Sequence, residues 1–139
     1  MQMKTLHPAY RISDLGSSLA FYADVGFQEI ARVNLPDRTL VMLNLPGDGD
    51  VVTLELVYEP SIAKLQVGNG FSHLAIQVDD LDAVLRGLTE AGIYFSGPEL
   101  PGGPDGPKTA FITDPDGYRL ELVQWPPGHG DGITRADFA

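Results

Sequence analysis

The sequence contains no cysteine. Disulfides, thiolate metal ligands and a cysteine nucleophile are therefore all excluded. Basic residues are also scarce: 9 Lys and Arg stand against 19 Asp and Glu, which gives a formal net charge of −10. A chain with this charge is poorly suited to bind nucleic acid or an anionic membrane surface, so neither partner is expected.

Long apolar runs are absent as well. No stretch approaches the ~20 residues that a transmembrane helix needs. The first residues, MQMKTLHPAYRISD, lack the apolar core of a signal peptide. The expected location is therefore the cytoplasm. The 139 residues, 43% of them hydrophobic, suit one compact domain or two small modules that share a core.

One short motif, LELV, occurs twice, at residues 54–57 and 120–123, which is an offset of 66 residues. The same offset, without a gap, aligns ISDL with VDDL and Gly26 with Gly92. Because the matches extend over most of each half, the offset predicts that the chain consists of two copies of one module.

Each copy has the same predicted order of elements. A short alternating strand comes first (6–12 and 72–78), and a segment of helical spacing follows it, beginning at Asp or Ser and ending at glycine. Strands are then predicted over 28–34, 38–45 and 51–58 in the first half, and over 93–96, 108–113 and 118–124 in the second. Turn formers separate them, as in DPDG at 114–117.

These elements predict an α+β fold with two tandem βαβββ modules. The modules span about 4–60 and 70–125 within a single domain over residues 1–125. Residues 126–139 are rich in glycine and polar side chains. They are predicted to form a flexible tail, in which His129 is solvated.

Each module carries one His and one Glu on the strand face opposite its most apolar residues, because strand side chains alternate. These are His7 and Glu55 in the first half and His73 and Glu121 in the second, and each pair is 48 residues apart. A carboxylate in an apolar strand needs a partner. Two imidazoles and two carboxylates suit a borderline divalent metal with open positions for water or substrate. A single His or Glu is more often an ordinary core or surface residue, but four that obey one repeat favour a shared metal site.

Several stretches resemble glyoxalase I (lactoylglutathione lyase) of the vicinal oxygen chelate superfamily, over about residues 4–124: LHPAYRISDLGSSLAFYADVGF, VTLELVYEP, GFSHLAIQVDDL and FITDPDGYRLELVQW. The resemblance implies that the modules curl into cupped mixed sheets around a metal. It implies four metal ligands, namely His7, Glu55, His73 and Glu121. It also implies a homodimer with shared sites, in which the first two ligands come from one chain and the last two from the other. One divalent metal per site is implied, with nickel or cobalt favoured and zinc possible.

The reaction implied by this resemblance isomerises a hemithioacetal to a 2-hydroxyacyl thioester. The hemithioacetal forms from a 2-oxoaldehyde such as methylglyoxal and a small thiol, glutathione or another. Glu121 is the implied general base, and Glu55 is a second, partly exchangeable carboxylate. Arg11 matches an arginine that binds the γ-glutamyl end of glutathione.

Two departures count against glutathione as the thiol. Glu59 occupies a position where relatives often have Asn. Residues 97–107, predicted to form a loop beside the site, contain none of the basic residues that bind the glycyl carboxylate in relatives, and only Lys108 is close by. Another small thiol therefore fits the sequence as well as glutathione does.

Other functions use the same fold. Methylmalonyl-CoA epimerase also moves a proton beside a thioester carbonyl, but its usual second ligand is Gln. Fosfomycin-modifying transferases and extradiol dioxygenases use two His and one Glu, and they need no carboxylate at position 55. A non-catalytic binding protein of the bleomycin-resistance type would lack the ligand set. The presence of all four residues favours the isomerase.

Overall fold

The structure, a computed structural model, describes all residues from Met1 to Ala139. The chain divides into two compact units. The first contains Met1–Gly70 together with the turn Asp114–Gly117, and the second contains Phe71–Thr113 and Tyr118–Ala139. Neither α-helix combines the length and apolar character that a membrane span requires.

The first unit contains one α-helix, one short 3₁₀ helix (Pro46–Asp48) and one four-stranded sheet. Along the chain the elements are β1 (Ala9–Ile12), α1 (Leu15–Val25), β2 (Gln28–Asn34), β3 (Thr39–Asn44) and β4 (Leu54–Tyr58). The sheet order is β1-β4-β3-β2. Strand β1 is parallel to β4, and the other neighbours are antiparallel.

The second unit repeats this topology. Its elements are β5 (Leu74–Gln77), α2 (Leu81–Glu90), β6 (Phe95–Glu99), β7 (Lys108–Thr113) and β8 (Arg119–Gln124). The sheet order is β5-β8-β7-β6, again with one parallel pair, β5 and β8. The predicted α+β class with two βαβββ modules is confirmed.

Both helices begin at an aspartate that the 66-residue offset relates. The carboxylate of Asp14 accepts a hydrogen bond from the Ser17 backbone at 2.8 Å, and that of Asp80 accepts one from the Ala83 backbone at 3.1 Å. These bonds satisfy backbone donors that the first helical turn leaves free. Helix α1 ends at Val25 and is capped by Gly26, as predicted, where φ is +123°. Helix α2 ends two residues before Gly92, at Glu90.

The two LELV strands contribute leucines to the cores and glutamates to the opposite faces. Leu54, Leu56 and Leu120 are fully buried, and Leu122 is nearly so. Each such side chain contributes about 1.5–3 kcal/mol of transfer free energy. The alternating glutamates are only half-buried. The pleat thus gives each sheet one face packed into its core and one face available for chemistry.

Strand β6 extends beyond its predicted end into the segment expected to be a loop. It continues through Gly97 and Pro98 to Glu99, with an irregular register between Ser96 and Glu99. A proline has no N–H for the ladder, so a bulge on an edge strand is a position that tolerates it. Gly97 has a φ of +101°, and a Cβ there would lie 3.0 Å from the Thr109 carbonyl oxygen. The predicted loop is therefore shorter, beginning after Glu99.

The predicted hairpin turn at residues 114–117 is confirmed. The Gly117 backbone donates to the Asp114 carbonyl at 3.1 Å, and the Asp116 backbone donates to the Asp114 carboxylate at 2.9 Å. Within the first unit, this buried carboxylate also accepts a hydrogen bond from the hydroxyl of Tyr22 at 2.8 Å. The aspartate therefore has a structural role beyond shaping the turn.

Candidate active site

The first predicted pair, His7 and Glu55, is brought together in the first unit. His7 lies two residues before β1, and Glu55 lies on the adjacent β4. Their Nε2 and Oε1 atoms are 3.7 Å apart. The Nδ1 atom of His7 is 3.1 Å from the Pro8 carbonyl, which can only accept a hydrogen bond. A proton on Nδ1 would satisfy this contact and leave the lone pair of Nε2 available to a metal.

The second predicted pair has the same arrangement in the second unit. His73 immediately precedes β5, and Glu121 lies on the adjacent β8. Their Nε2 and Oε1 atoms are 3.5 Å apart. The Nδ1 atom of His73 contacts the hydroxyl of Ser72 at 2.7 Å. In both units a neighbouring group thus holds Nδ1 and orients Nε2, which is the usual support for a metal-binding histidine.

The donor chemistry of these residues fits a divalent metal. Each pair offers one imidazole nitrogen and one carboxylate, and Glu55 and Glu121 have exposed side-chain fractions of only 16% and 22%. The chain by itself gathers no group of three or more His, Asp and Glu side chains that could hold a metal. The structure therefore shows two matching halves of the predicted ligand set, and the four-ligand site stays a prediction.

The strand neighbours of the two glutamates are alike on one side and different on the other. Glu55 pairs with Ala9 on the parallel strand, and Glu121 pairs with Ala75. A small side chain in each case leaves room beside the carboxylate. On the antiparallel strand, however, Glu55 pairs with Met42 and Glu121 pairs with Phe111.

Arg11, the predicted substrate-binding residue, forms an ion pair at the edge of a cavity. Its Nε donates to Oε1 of Glu59 at 3.3 Å. The cavity has a volume of about 220 Å³ and lies entirely in the first unit, lined by Arg11, Ile12, Ser13, Tyr58, Glu59, Pro60, Ile62, Ala63 and Leu65. Glu59, which occupies a position where relatives often have Asn, is thus the direct partner of Arg11, the predicted anion-binding residue.

Sequence reasoning missed a cation in the second unit. The side chain of Arg119 lies over the ring of Phe111, with Cζ 4.2 Å from the ring centroid. Arg119 is two residues before Glu121 on β8, so the two share a face. The offset gives no signal for it, because the equivalent residue in the first half is Thr53. Lys108, the cation noted beside the loop, pairs instead with Asp82 of helix α2 at 3.2 Å.

The structure gives the tail contacts that the sequence did not indicate. The ring of His129 stacks on that of Trp125, with centroids 4.3 Å apart. Its Nε2 is 2.6 Å from a carboxylate oxygen of Asp137. The prediction that His129 is solvated is wrong, because the aromatic contact and the ion pair half-bury it. The flexibility of the tail stays a prediction.

The hydrogen bonds of this ion pair shift the pKa values of both partners in opposite directions. The Asp137 carboxylate, with help from the Gly130 carbonyl, raises the pKa of His129 above 6.5. The Thr134 backbone N–H, followed by His129, lowers the pKa of Asp137 below 3.8. Both charged forms are therefore favoured in the folded tail.

Comparison with known proteins agrees with this architecture. The sequence model of the Glyoxalase/Bleomycin resistance protein/Dioxygenase superfamily matches residues 4–122. A probable lactoylglutathione lyase of Vibrio cholerae is 34% identical, over 91% of this chain and 94% of its own length. A lactoylglutathione lyase of Haemophilus influenzae is 30% identical, over 88% and 93%.

Solved structures of glyoxalase I give the same result. The trypanothione-dependent glyoxalase I of Leishmania major superposes with a TM-score of 0.72 at 28% identity, covering 88% of this chain and 87% of that one. A glyoxalase I mutant from Zea mays has a TM-score of 0.77 at 27% identity, and this chain spans 45% of its length. The predicted resemblance and the prediction of a lactoylglutathione lyase-like enzyme are confirmed.

Proposed function

Because the chain belongs to the Glyoxalase/Bleomycin resistance protein/Dioxygenase superfamily, we propose that it isomerises the hemithioacetal of a 2-oxoaldehyde and a small thiol to a 2-hydroxyacyl thioester. The observation that carries the proposal is the presence of two His–Glu pairs. They occupy repeat-related positions, and their N–O distances are 3.7 and 3.5 Å. A binding protein without catalysis has no need for two matched pairs of this kind.

The ligands of one divalent metal per site are proposed to come from two chains of a homodimer. His7 and Glu55 of one chain would combine with His73 and Glu121 of the other. Nickel or cobalt is the favoured metal, and zinc is possible. When bound, such a cation supplies Lewis-acid stabilisation of the negative charge that develops on substrate oxygens.

Glu121 is proposed to move the proton. Its carboxylate would remove the proton from the carbon bonded to sulfur and return it to the adjacent carbon, the former ketone carbon. The hydroxyl proton moves from the oxygen on the first carbon to the oxygen on the second, so the carbonyl lies next to sulfur as a thioester. The two carbons exchange oxidation levels, and no oxidant or reductant is required. A carboxylate that is largely shielded from water can act as base and then as acid. Glu55 is proposed as the second, partly exchangeable carboxylate.

The Arg11–Glu59 cavity is proposed to bind the head group of the thiol. The cavity presents one cation and one anion, held 3.3 Å apart. An α-amino acid head, such as that of a γ-glutamyl group, carries a carboxylate and an ammonium that match this pair. A thiol with only an anionic head would have to compete with Glu59 for Arg11. The charge pattern therefore favours zwitterionic or cationic heads over purely anionic ones.

The proposal is tested with a matrix of metals against thiols. The protein is stripped with a chelator and reloaded with nickel, cobalt or zinc. Isomerisation is then followed with methylglyoxal and glutathione, cysteamine or another small thiol. We expect the stripped protein to lose activity and at least one combination to restore it. The absence of turnover with every metal and thiol would refute the proposed reaction.

Glu121→Gln is the matched variant for this matrix. It removes the proton-transfer group while conserving the volume of the side chain. General acid–base catalysis typically contributes about 10²–10⁴-fold, so we expect a loss of that size in kcat. Oligomeric state and metal content by mass spectrometry report whether the variant remains assembled. Near-normal kcat in the metal-loaded variant would exclude Glu121 as the base.

A further inference from the structure

The ring of Phe111 links a cation to the second His–Glu pair. Phe111 lies on β7 directly opposite Glu121. The His73 ring meets the Phe111 ring edge-on, with centroids 5.6 Å apart and an interplanar angle of 85°. The Arg119 guanidinium lies 4.2 Å from the same centroid. One aromatic side chain therefore positions both the predicted metal ligand and the arginine.

The positive charge of Arg119 has no carboxylate partner in the structure. Two other basic residues differ in this respect: Arg32 pairs with Glu29 at 2.7 Å, and Lys108 pairs with Asp82 at 3.2 Å. On the face that carries Glu121, the ring of Phe111 therefore holds the guanidinium, and no ion pair does. The contact with Phe111 restrains the side chain without neutralising its charge.

The chemistry of such an arginine suits a carboxylate. A guanidinium offers five N–H donors in one plane, and it binds carboxylates in a two-pronged geometry. An aromatic ring engages the guanidinium through its π face and leaves donors at the edge of the plane for an anion. Pre-positioning by the ring also reduces the side-chain entropy that is lost when the anion binds.

The neighbouring cation, Lys108, lies on the other face of the sheet and cannot take this role. Lys108 pairs with Gln124 across the sheet, and the side chain of Gln124 accepts a hydrogen bond from the backbone N–H of Leu81, at the start of helix α2. That face is covered by the helix, whose Asp82 holds Lys108. Arg119 and Glu121, at odd positions of β8, are on the other face. Arg119 is thus the cation beside the proposed base.

We propose that Arg119 is a specificity-determining residue that binds a carboxylate of the substrate processed at Glu121. The inference rests on the proposed isomerase function and deepens it by naming the residue that would select substrates with a carboxylate. The carboxylate has two possible sources, the thiol or the side chain of the 2-oxoaldehyde. The chemistry of recognition is the same for both.

The test compares substrates that differ in one charge. One arm uses glutathione and its glycine-amide with methylglyoxal. The other arm uses glutathione-amide with a 2-oxoaldehyde whose chain ends in a carboxylate, or with the uncharged aldehyde of equal length. The variants are Arg119→Gln and Arg119→Lys. Arg86→Gln is the control, because it removes the same charge from an exposed position on helix α2 of the same unit.

We expect Arg119→Gln to raise KM about tenfold for the carboxylate member of one arm, since a charge-assisted hydrogen bond typically contributes that much or more. The KM of its uncharged partner and both kcat values should stay near wild type. Arg119→Lys should recover part of the discrimination, and Arg86→Gln should leave it intact. The arm that responds identifies the source of the carboxylate. Equal losses on charged and uncharged substrates, or no loss, would overturn the proposal.

Failure of this proposal can be told apart from failure of the proposed reaction. If the wild-type protein turns over no hemithioacetal, the isomerase function fails. Titration calorimetry with S-hexylglutathione and its glycine-amide then still tests Arg119 on the metal-loaded protein. Tighter binding of the acid by wild type, lost in Arg119→Gln, supports the thiol carboxylate as the ligand. Equal affinities for acid and amide in the wild type would refute that assignment.

Discussion

Two side-chain pairs related by the 66-residue offset show how far the halves have diverged. In the first unit, Arg11 donates to Glu59 at 3.3 Å; in the second, the equivalent Gln77 accepts from Nε1 of Trp125 at 2.8 Å. The members of each pair are 48 residues apart. The contact is thus conserved in position, but an ion pair in one half corresponds to a neutral hydrogen bond in the other.

The surroundings of the two pairs also differ: a cavity adjoins the first pair, and the tail contacts the second. The Arg11–Glu59 pair lines an open cavity. Gln77 is occupied by the tail instead, because its Oε1 also accepts from the Gly132 backbone at 2.7 Å and its Nε2 donates to Asp131 at 2.9 Å. The His–Glu pairs therefore retained the repeat, while the positions around them specialised. In the first half, the polar pair lines a cavity of about 220 Å³.

The largest expected effect is the recovery of activity when two inactive variants form a mixed dimer. One inactive variant would carry His7→Ala and Glu55→Ala, and the other His73→Ala and Glu121→Ala. If each site takes one pair from each chain, a mixed dimer contains one site that has lost all four ligands and one that is intact. We expect two inactive proteins to yield activity near half of the wild-type value when they are co-expressed and purified through two different affinity tags.

The control for this experiment is a mixed dimer of two differently tagged copies of the same variant. It should remain inactive, because neither site is complete. Sites built within single chains would give no recovery in any mixture. Inactive mixed dimers that still bind metal at one high-affinity site would show that the ligands are shared but that the chemistry is assigned wrongly.

An intermediate effect is expected at the ion pair that distinguishes the first half. Glu59→Gln keeps the side-chain shape and removes the charge that compensates Arg11. We expect KM to fall for a carboxylate-headed thiol such as 3-mercaptopropionate and to rise for the ammonium-headed cysteamine. Each change should be at most about fivefold, because partly exposed ion pairs contribute no more than ~1 kcal/mol.

The matched control for that change is Arg32→Gln, which disrupts the Arg32–Glu29 pair elsewhere in the first unit. It should leave both KM values unchanged. If Glu59→Gln changes the KM values of the two thiols in the same direction, Glu59 acts on the shape of the cavity and not through its charge. The measurement therefore separates an electrostatic from a steric role for the residue.

The repeat explains why much of the site was predictable from sequence. Period-two alternation fixes which face a strand residue occupies, so Glu55 and Glu121 could be placed opposite the buried leucines. The histidine partners could be predicted because each lies 48 residues before its glutamate. Arg119 could not be found in this way, because its interaction is with Phe111 on another strand and has no counterpart at Thr53. Cross-strand contacts depend on register, which a single sequence does not state.

The contacts of the tail could not be predicted for a related reason. Glycine and polar residues indicate weak local structure, but local composition says nothing about distant partners. Gln77 provides both a donor and an acceptor, and together these hold Asp131 and Gly132 from 54 and 55 residues away. The composition of the tail gives no indication of these hydrogen bonds, because their partner lies on a strand of the preceding module.

The smallest expected effect is a change in tryptophan emission when the tail ion pair titrates. Trp125 is the single tryptophan, and His129 stacks on it. His129 has a raised pKa. Its contribution to the stability of the tail contact is therefore complete below pH 6.5 and is lost as the pH rises through the raised pKa. Asp137 has a lowered pKa, so its contribution is complete above 3.8 and is lost as the pH falls through the lowered value. The contact should therefore be strongest between these two ordinary values.

A protonated imidazole quenches a stacked indole, so emission should be lowest at mildly acidic pH and increase as His129 loses its proton. Asp137→Asn should move this transition to lower pH, because it replaces the carboxylate that raises the pKa of His129. His129→Gln should abolish the transition while leaving isomerase activity unchanged. A transition that persists in His129→Gln would assign the signal to another group and remove the stacking contact as its cause. Together, the two variants separate the charge of the ion pair from the packing of the tail against Trp125.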